Sequence, residues 1–106
     1  MRDYELVMVI SPDAADADAT VDRFQQFILE RGGQVHQVDR WGRRKLAYPI
    51  DRHVEGDYVI TQFRLDAGRL RELEDSLRLA EEVIRHLVVK LEDSRPERGF
   101  GDGEPQ

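Results

Sequence analysis

One hundred and six residues, 40% of them hydrophobic and 36% charged, suffice for a single domain with a two-layer core and a strongly ionic surface. Sixteen Lys and Arg against 22 Asp and Glu set a formal net charge of -6, which excludes a protein that coats nucleic acid indiscriminately and requires any such contact to be local. The absence of cysteine rules out disulfides, thiol catalysis and Cys-ligated zinc, and fits a reducing cytoplasm.

No apolar run reaches the roughly 18 to 20 residues of a membrane span. Met1-Arg2-Asp3 leads straight into a strand pattern, so a soluble, unprocessed chain with no membrane partner is expected. Tyr4 to Ile10 is β-branched and apolar on nearly both faces, as an interior strand requires. Ser11-Pro12-Asp13 ends it, and Asp13, Asp16 and Asp18 place negative charge at the positive end of a following helix. That helix should run from about Asp16 to Arg31. In it Ala17, Val21, Phe24 and Ile28 recur at helical spacing as one apolar stripe, and Gly32-Gly33 supplies a left-handed stop.

A second strand begins near Gln34 and continues through Arg40-Trp-Gly-Arg-Arg-Lys-Leu-Ala-Tyr-Pro-Ile50. Gly42 in mid-run predicts a bulge or bend. Pro49, without an N–H, predicts an edge or a strand end, so this segment should project as one arm of a hairpin. The turn is expected among Asp51 to Asp57, with Gly56 taking positive φ. A third strand, Tyr58 to Leu65, turns Val59, Thr61, Phe63 and Leu65 to the core and Tyr58, Ile60, Gln62 and Arg64 away from it. Asp66 can cap a second helix with Leu70, Leu73, Leu77 and Ala80 in one stripe, and Val83 to Leu91 reads as a fourth strand. From about Asp93 the chain becomes rich in Gly and Glu. A disordered acidic tail, 93–106, is expected beyond a folded domain of residues 1–92.

The order strand, helix, strand, strand, helix, strand implies two right-handed crossovers that set both helices on one face of a four-stranded antiparallel sheet. The expected fold class is therefore α+β, a ferredoxin-like βαββαβ sandwich. Its other sheet face is open, and a partner would bind there and on the hairpin.

Little in the chain points to catalysis. His36, His53 and His86 fall on three elements without metal-ligand spacing, and no cofactor is implied. Ser11, Thr20, Thr61, Ser76 and Ser94 lack a nucleophile motif, while Gly32-Gly33 ends a helix and so does not cradle phosphate. Base stacking on the sheet face in the manner of RNA-recognition motifs is disfavoured, because the third strand offers Tyr58 and then Ile60 where a second ring is needed. What stands out is Arg40 to Ile50, with four basic residues and the only tryptophan. It is either a contact surface or an ordinary hairpin whose Trp41 and Tyr48 pack on neighbours.

Met1-Arg2-Asp3-Tyr4-Glu5, the run Gly42-Arg-Arg-Lys-Leu-Ala-Tyr-Pro-Ile50 and Val88-Val89-Lys90 resemble the bacterial small-subunit ribosomal protein six family, over about Met1 to Glu92. The resemblance implies a structural ribosomal protein of the cytoplasm and no enzyme. It implies binding to small-subunit ribosomal RNA in company with ribosomal protein eighteen, from a monomeric free state. The acidic or weak charge of that family agrees with the balance found here. An acidic protein can bind RNA through clustered cations when a partner shares the phosphate neutralisation.

Under this resemblance Arg2, Arg43, Arg44, Lys45 and Arg85 are the candidates for phosphate and sugar contacts, and Tyr4 and Trp41 for ring contacts. Leu46, Tyr48 and Ile50, with open-face Val7, Ile60, Leu87 and Val89, are the candidates for an apolar patch that receives the protein partner. For Tyr48 and Ile50 core packing is an equal alternative, because a bulged strand does not keep its alternation. His86, where an apolar residue would be natural, leaves the faces of Arg85 and Leu87 undecided. The rival from another class is a ligand-sensing or small-molecule enzyme domain that dimerises through the open sheet. That needs a pocket with convergent polar groups, which the sequence does not show.

Overall fold

Alternation along the first strand, β1 (Arg2–Ile10), turns Tyr4, Leu6, Met8 and Ile10 inward, where all four are buried. In the computed structural model, which describes residues 1–14, 16–50 and 52–91, β1 is followed by α1 (Ala17–Glu30), β2 (Gln34–Ile50), β3 (His53–Leu65), a 3-10 turn (Ala67–Arg69), α2 (Leu70–Leu79) and β4 (Val83–Lys90). The strands form one antiparallel sheet in the order β2-β3-β1-β4, so β1 is interior and Pro49 lies on an edge strand. This is the ferredoxin-like α+β arrangement. The expected tail from Asp93 lies outside the described residues.

The helices cover one sheet face. Val21, Phe24 and Ile28 of α1 and Leu73 and Leu77 of α2 are buried against Leu6, Met8, Ile10, Val59, Phe63 and Leu65. At the N-terminus of α1 the Asp16 carboxylate accepts from the Ala19 N–H at 3.1 Å, satisfying one donor of the first turn. Asp66 caps less directly than expected, since its carboxylate accepts from the Gly68 N–H of the 3-10 turn, which then leads into α2. Arg31 ties the helices together. Its guanidinium lies 3.5 Å from the centre of the Phe27 ring, and its Nε donates to Glu72 Oε1 at 2.9 Å.

The β2–β3 turn differs from the sequence expectation. Ile50 pairs with His53, so β3 starts five residues earlier than Tyr58, and the left-handed residue is Arg52 (φ 70), not Gly56. Gly56 sits inside β3 opposite Arg44 and serves space, not φ: a Cβ there would collide with Val9 Cγ1. A glycine among turn-like residues cannot reveal which of the two reasons placed it. Gly56→Ala should therefore lose about 1–3 kcal/mol in urea unfolding through overpacking. Arg52→Gly should gain about 0.5–1 kcal/mol by relieving the left-handed backbone. An unchanged midpoint for either variant would refute the stated cause.

Candidate nucleic-acid interface

β1 ends at Ile10, opposite Asp57, whereas β2 and β3 pair on as far as Ile50 and His53. The surplus projects past the sheet as a two-stranded arm. Two irregularities shape it. Between Arg40, opposite Val59, and Gly42, opposite Tyr58, β2 inserts Trp41 as an extra residue, and Gly42 takes φ 80. Between Lys45, opposite Glu55, and Ile50, opposite His53, β2 takes five steps to the two of β3, so the backbone from Leu46 to Pro49 swells outward.

The first insertion decides which way each cation faces, because cross-strand partners share a face. Arg43 (opposite Asp57) and Lys45 (opposite Glu55) lie on the helix-bearing side, and Arg44 (opposite Gly56) lies on the open side. Arg43 already has acidic company, with its Nε 3.8 Å from Asp57 and 3.9 Å from Glu55. Arg44 does not: its Nε donates to the Trp41 carbonyl at 3.4 Å and its guanidinium lies over the Trp41 ring, 5.6 Å from the centre. Across the end of β1, Arg85 Nη1 donates to the Tyr48 hydroxyl at 3.4 Å and so links β4 to the swollen part of the arm. Among the described residues neither Arg44 nor Arg85 forms an ion pair.

At the tip of the arm, beside the turn, the His53 ring is held on both nitrogens. Nδ1 lies 3.2 Å from the Ile50 carbonyl, which can only accept, so Nδ1 carries the proton. Nε2 lies 3.2 Å from the Ser11 hydroxyl. The Asp13 carboxylate, 3.6 Å away, approaches the same Nε2, so no carboxylate orients the ring for the serine and the trio is an anchor, not a relay.

Next to the arm lies the sheet's open face, in three cross-strand rows: Leu87–Val7–Ile60, Arg85–Val9–Tyr58 and Val89–Glu5–Gln62. His86 is opposite Met8 and belongs to the helix-bearing side, which settles Arg85, Leu87 and Val89 as open-face residues. Leu87 and Val89 are 55% and 40% exposed, large for aliphatic side chains, and Val7 and Ile60 are half-buried beside them. Val7, Val9, Tyr58, Arg85 and Leu87 line a shallow depression at the arm end of this face.

The family-level comparison agrees with this architecture, since the sequence profile described as Ribosomal protein S6 matches residues 3–90. The chain belongs to the ribosomal protein S6 family. It is 42% identical over 95 residues to the small ribosomal subunit protein bS6 of Moorella thermoacetica, covering 88% of this chain and 97% of that protein. It is 41% identical to the bS6 of Caldanaerobacter subterraneus subsp. tengcongensis, covering 88% and 100%. The crystal structure of 30S ribosomal protein S6 from Thermotoga maritima superposes with a TM-score of 0.81 at 36% identity, covering 85% of this chain and 87% of that one. Proteins of the S6 family are structural, non-enzymatic members of the small ribosomal subunit, a cytoplasmic particle.

In this S6-family chain the residues singled out from the sequence do not form one site. Tyr4 is only 3% exposed. It faces the core as the cross-strand partner of Phe63, their rings stacked with centres 5.5 Å apart, so it offers no ring to a ligand and the sequence expectation is corrected. A strand apolar on both faces hid which side was inward. Arg2 is exposed but pairs with Leu65 at the other end of β1, roughly 25 Å from the arm by strand rise. Tyr48 is 61% exposed, which removes the core-packing alternative for it, while Leu46 and Ile50 are half-buried. Sequence reasoning missed Val9 and His53, and it placed Tyr58 on the open face without assigning it to the site. Alternation from Val7 could have found Val9, whereas His53 had no signal because its serine partner is 42 positions away.

His53→Ala should release the tip of the arm from Ser11. We expect a loss of about 1–2 kcal/mol, from its two hydrogen bonds, together with faster tryptic cleavage after Lys45 and Arg52. Equal cleavage rates in the two proteins would show that His53 does not hold the arm.

Proposed function

We propose that this S6-family chain is a structural constituent of the small ribosomal subunit that binds small-subunit ribosomal RNA together with ribosomal protein eighteen, joining them as a monomer. The observation that carries this reading is the adjacency of two kinds of unsatisfied surface. Arg44 and Arg85, without ion pairs among the described residues, flank an apolar row of Leu87, Val7 and Ile60 extended by Val89. A protein partner covers the apolar row, and phosphates answer the arginines, whose planar fork of donors suits them.

The remaining residues take graded roles. Arg43 and Lys45 serve RNA from the other side of the arm, where Glu55 and Asp57 offset part of their charge. Arg2 contacts a separate phosphate at the far end of β1. Leu46, Tyr48 and Ile50 extend the protein-binding surface along the swollen strand. The net charge of -6 supports a shared site, because with so few cations at the arm the partner must supply part of the phosphate neutralisation.

Binding to ribosomal RNA in the presence of ribosomal protein eighteen tests both halves. Arg44→Ala and Arg85→Ala should each flatten the dependence of log affinity on log salt by roughly 0.7 to 0.9. Arg43→Ala should change it less. Leu87→Asp should abolish capture of the protein partner without lowering the unfolding midpoint. Unchanged salt slopes would remove the RNA assignment, and undiminished capture by Leu87→Asp would remove the assignment of the open face.

A further inference from the structure

Trp41 is the extra residue of the β2 bulge and has no partner on β3. It is 52% exposed, although it is the largest apolar side chain in the protein. Gly42, left-handed at φ 80 and with open space where its Cβ would be, supplies the backbone turn that sets the ring out. A guanidinium then covers the ring: Arg44 lies over it at 5.6 Å, held through Nε by the Trp41 carbonyl. Arg44 thus presents a fixed cation whose terminal nitrogens are not engaged by any carboxylate of the described residues.

The ligand that answers both features has a flat π-face and an anion attached to it, which is the constitution of a nucleotide. An aromatic side chain of a protein would satisfy the ring and leave the arginine unanswered. A paired base cannot reach it either, because bases in an A-form helix are stacked on their neighbours and their major-groove edges lie deep and out of side-chain reach. Resting on the reading of the arm as RNA-binding, we propose that Trp41 and Arg44 form a stacking clamp for one unpaired nucleotide, its base on the exposed part of the indole and its phosphate on the Arg44 guanidinium. The sequence-independent phosphate contacts of the arm position the RNA, and the clamp demands an unpaired base, looped out or in a single-stranded end, at one point.

Because Trp41 is the only tryptophan, its emission reports the contact directly. The protein is titrated with small-subunit ribosomal RNA in the presence of ribosomal protein eighteen, with binding followed separately by sedimentation. The spectrum of Trp41→Phe under the same conditions is subtracted. Saturation should quench Trp41, whereas a blunt, fully paired RNA duplex should not. Trp41→Leu, which unfolds at the parent urea concentration because the side chain is exposed, should bind about 5- to 150-fold more weakly, the equivalent of roughly 1–3 kcal/mol of base stacking, and Trp41→Phe should retain most of the affinity. Four results would overturn the clamp while leaving the RNA-binding reading intact: bound RNA with unchanged Trp41 emission, equal quenching by the duplex, parental affinity in Trp41→Leu, or quenching by ribosomal protein eighteen alone. Failure of the RNA to bind at all would remove both.

Discussion

A mismatch in strand length governs this molecule. β1 has nine residues and lies between β3, with 13, and β4, with eight, so the sheet keeps its full width only over the length of β1. β2, with 17 residues, and β3 keep pairing after β1 has ended. The arm is what remains of that pairing. An isolated two-stranded hairpin is marginal in water. This one is tied at its tip by His53 to Ser11, just past the end of β1, and across the sheet end by Arg85 to Tyr48.

Within the arm, a single inserted residue sets the electrostatics. Without the bulge at Trp41, Arg43 would fall on the open side and Arg44 on the helix-bearing side, by the period-two rule of strands. With it, the cation that has two acidic neighbours faces the helices and the one that has none faces the open sheet. Acidic residues meanwhile crowd the helices, at Asp18, Asp22, Glu30, Glu72, Glu74 and Asp75. The strongly negative composition is therefore compatible with a locally cationic edge. Net charge alone would have argued against any anionic partner.

Much of this was legible beforehand because it depends on short-range periodicity. The stripes Val21-Phe24-Ile28 and Leu73-Leu77 gave the helices and their buried faces, Val59-Thr61-Phe63-Leu65 gave the inward face of β3, and Gly42 marked the bulge. The failures lie where two causes share one residue type or where partners are distant in the chain. Gly56 could stand for a turn or for close packing against Val9, and close packing was the reason. Tyr4, on a strand apolar on both faces, could point either way until Phe63 was placed opposite it. The faces of Arg43, Arg44 and Lys45 could not be read at all, since each depends on how many residues are inserted before it.

The account stands on the claim that the molecule meets its partners through the open sheet face and the arm while the helices stay in solvent. Hydroxyl-radical footprinting of the side chains, free and in complex with small-subunit ribosomal RNA and ribosomal protein eighteen, tests this with built-in controls, because Leu29 and Leu79 are large exposed side chains on the two helices. Protection at Trp41, Tyr48, Leu87 and Val89 with undiminished oxidation at Leu29 and Leu79 is the predicted result. Protection of the two helical leucines with the arm and the open face still reactive would contradict it.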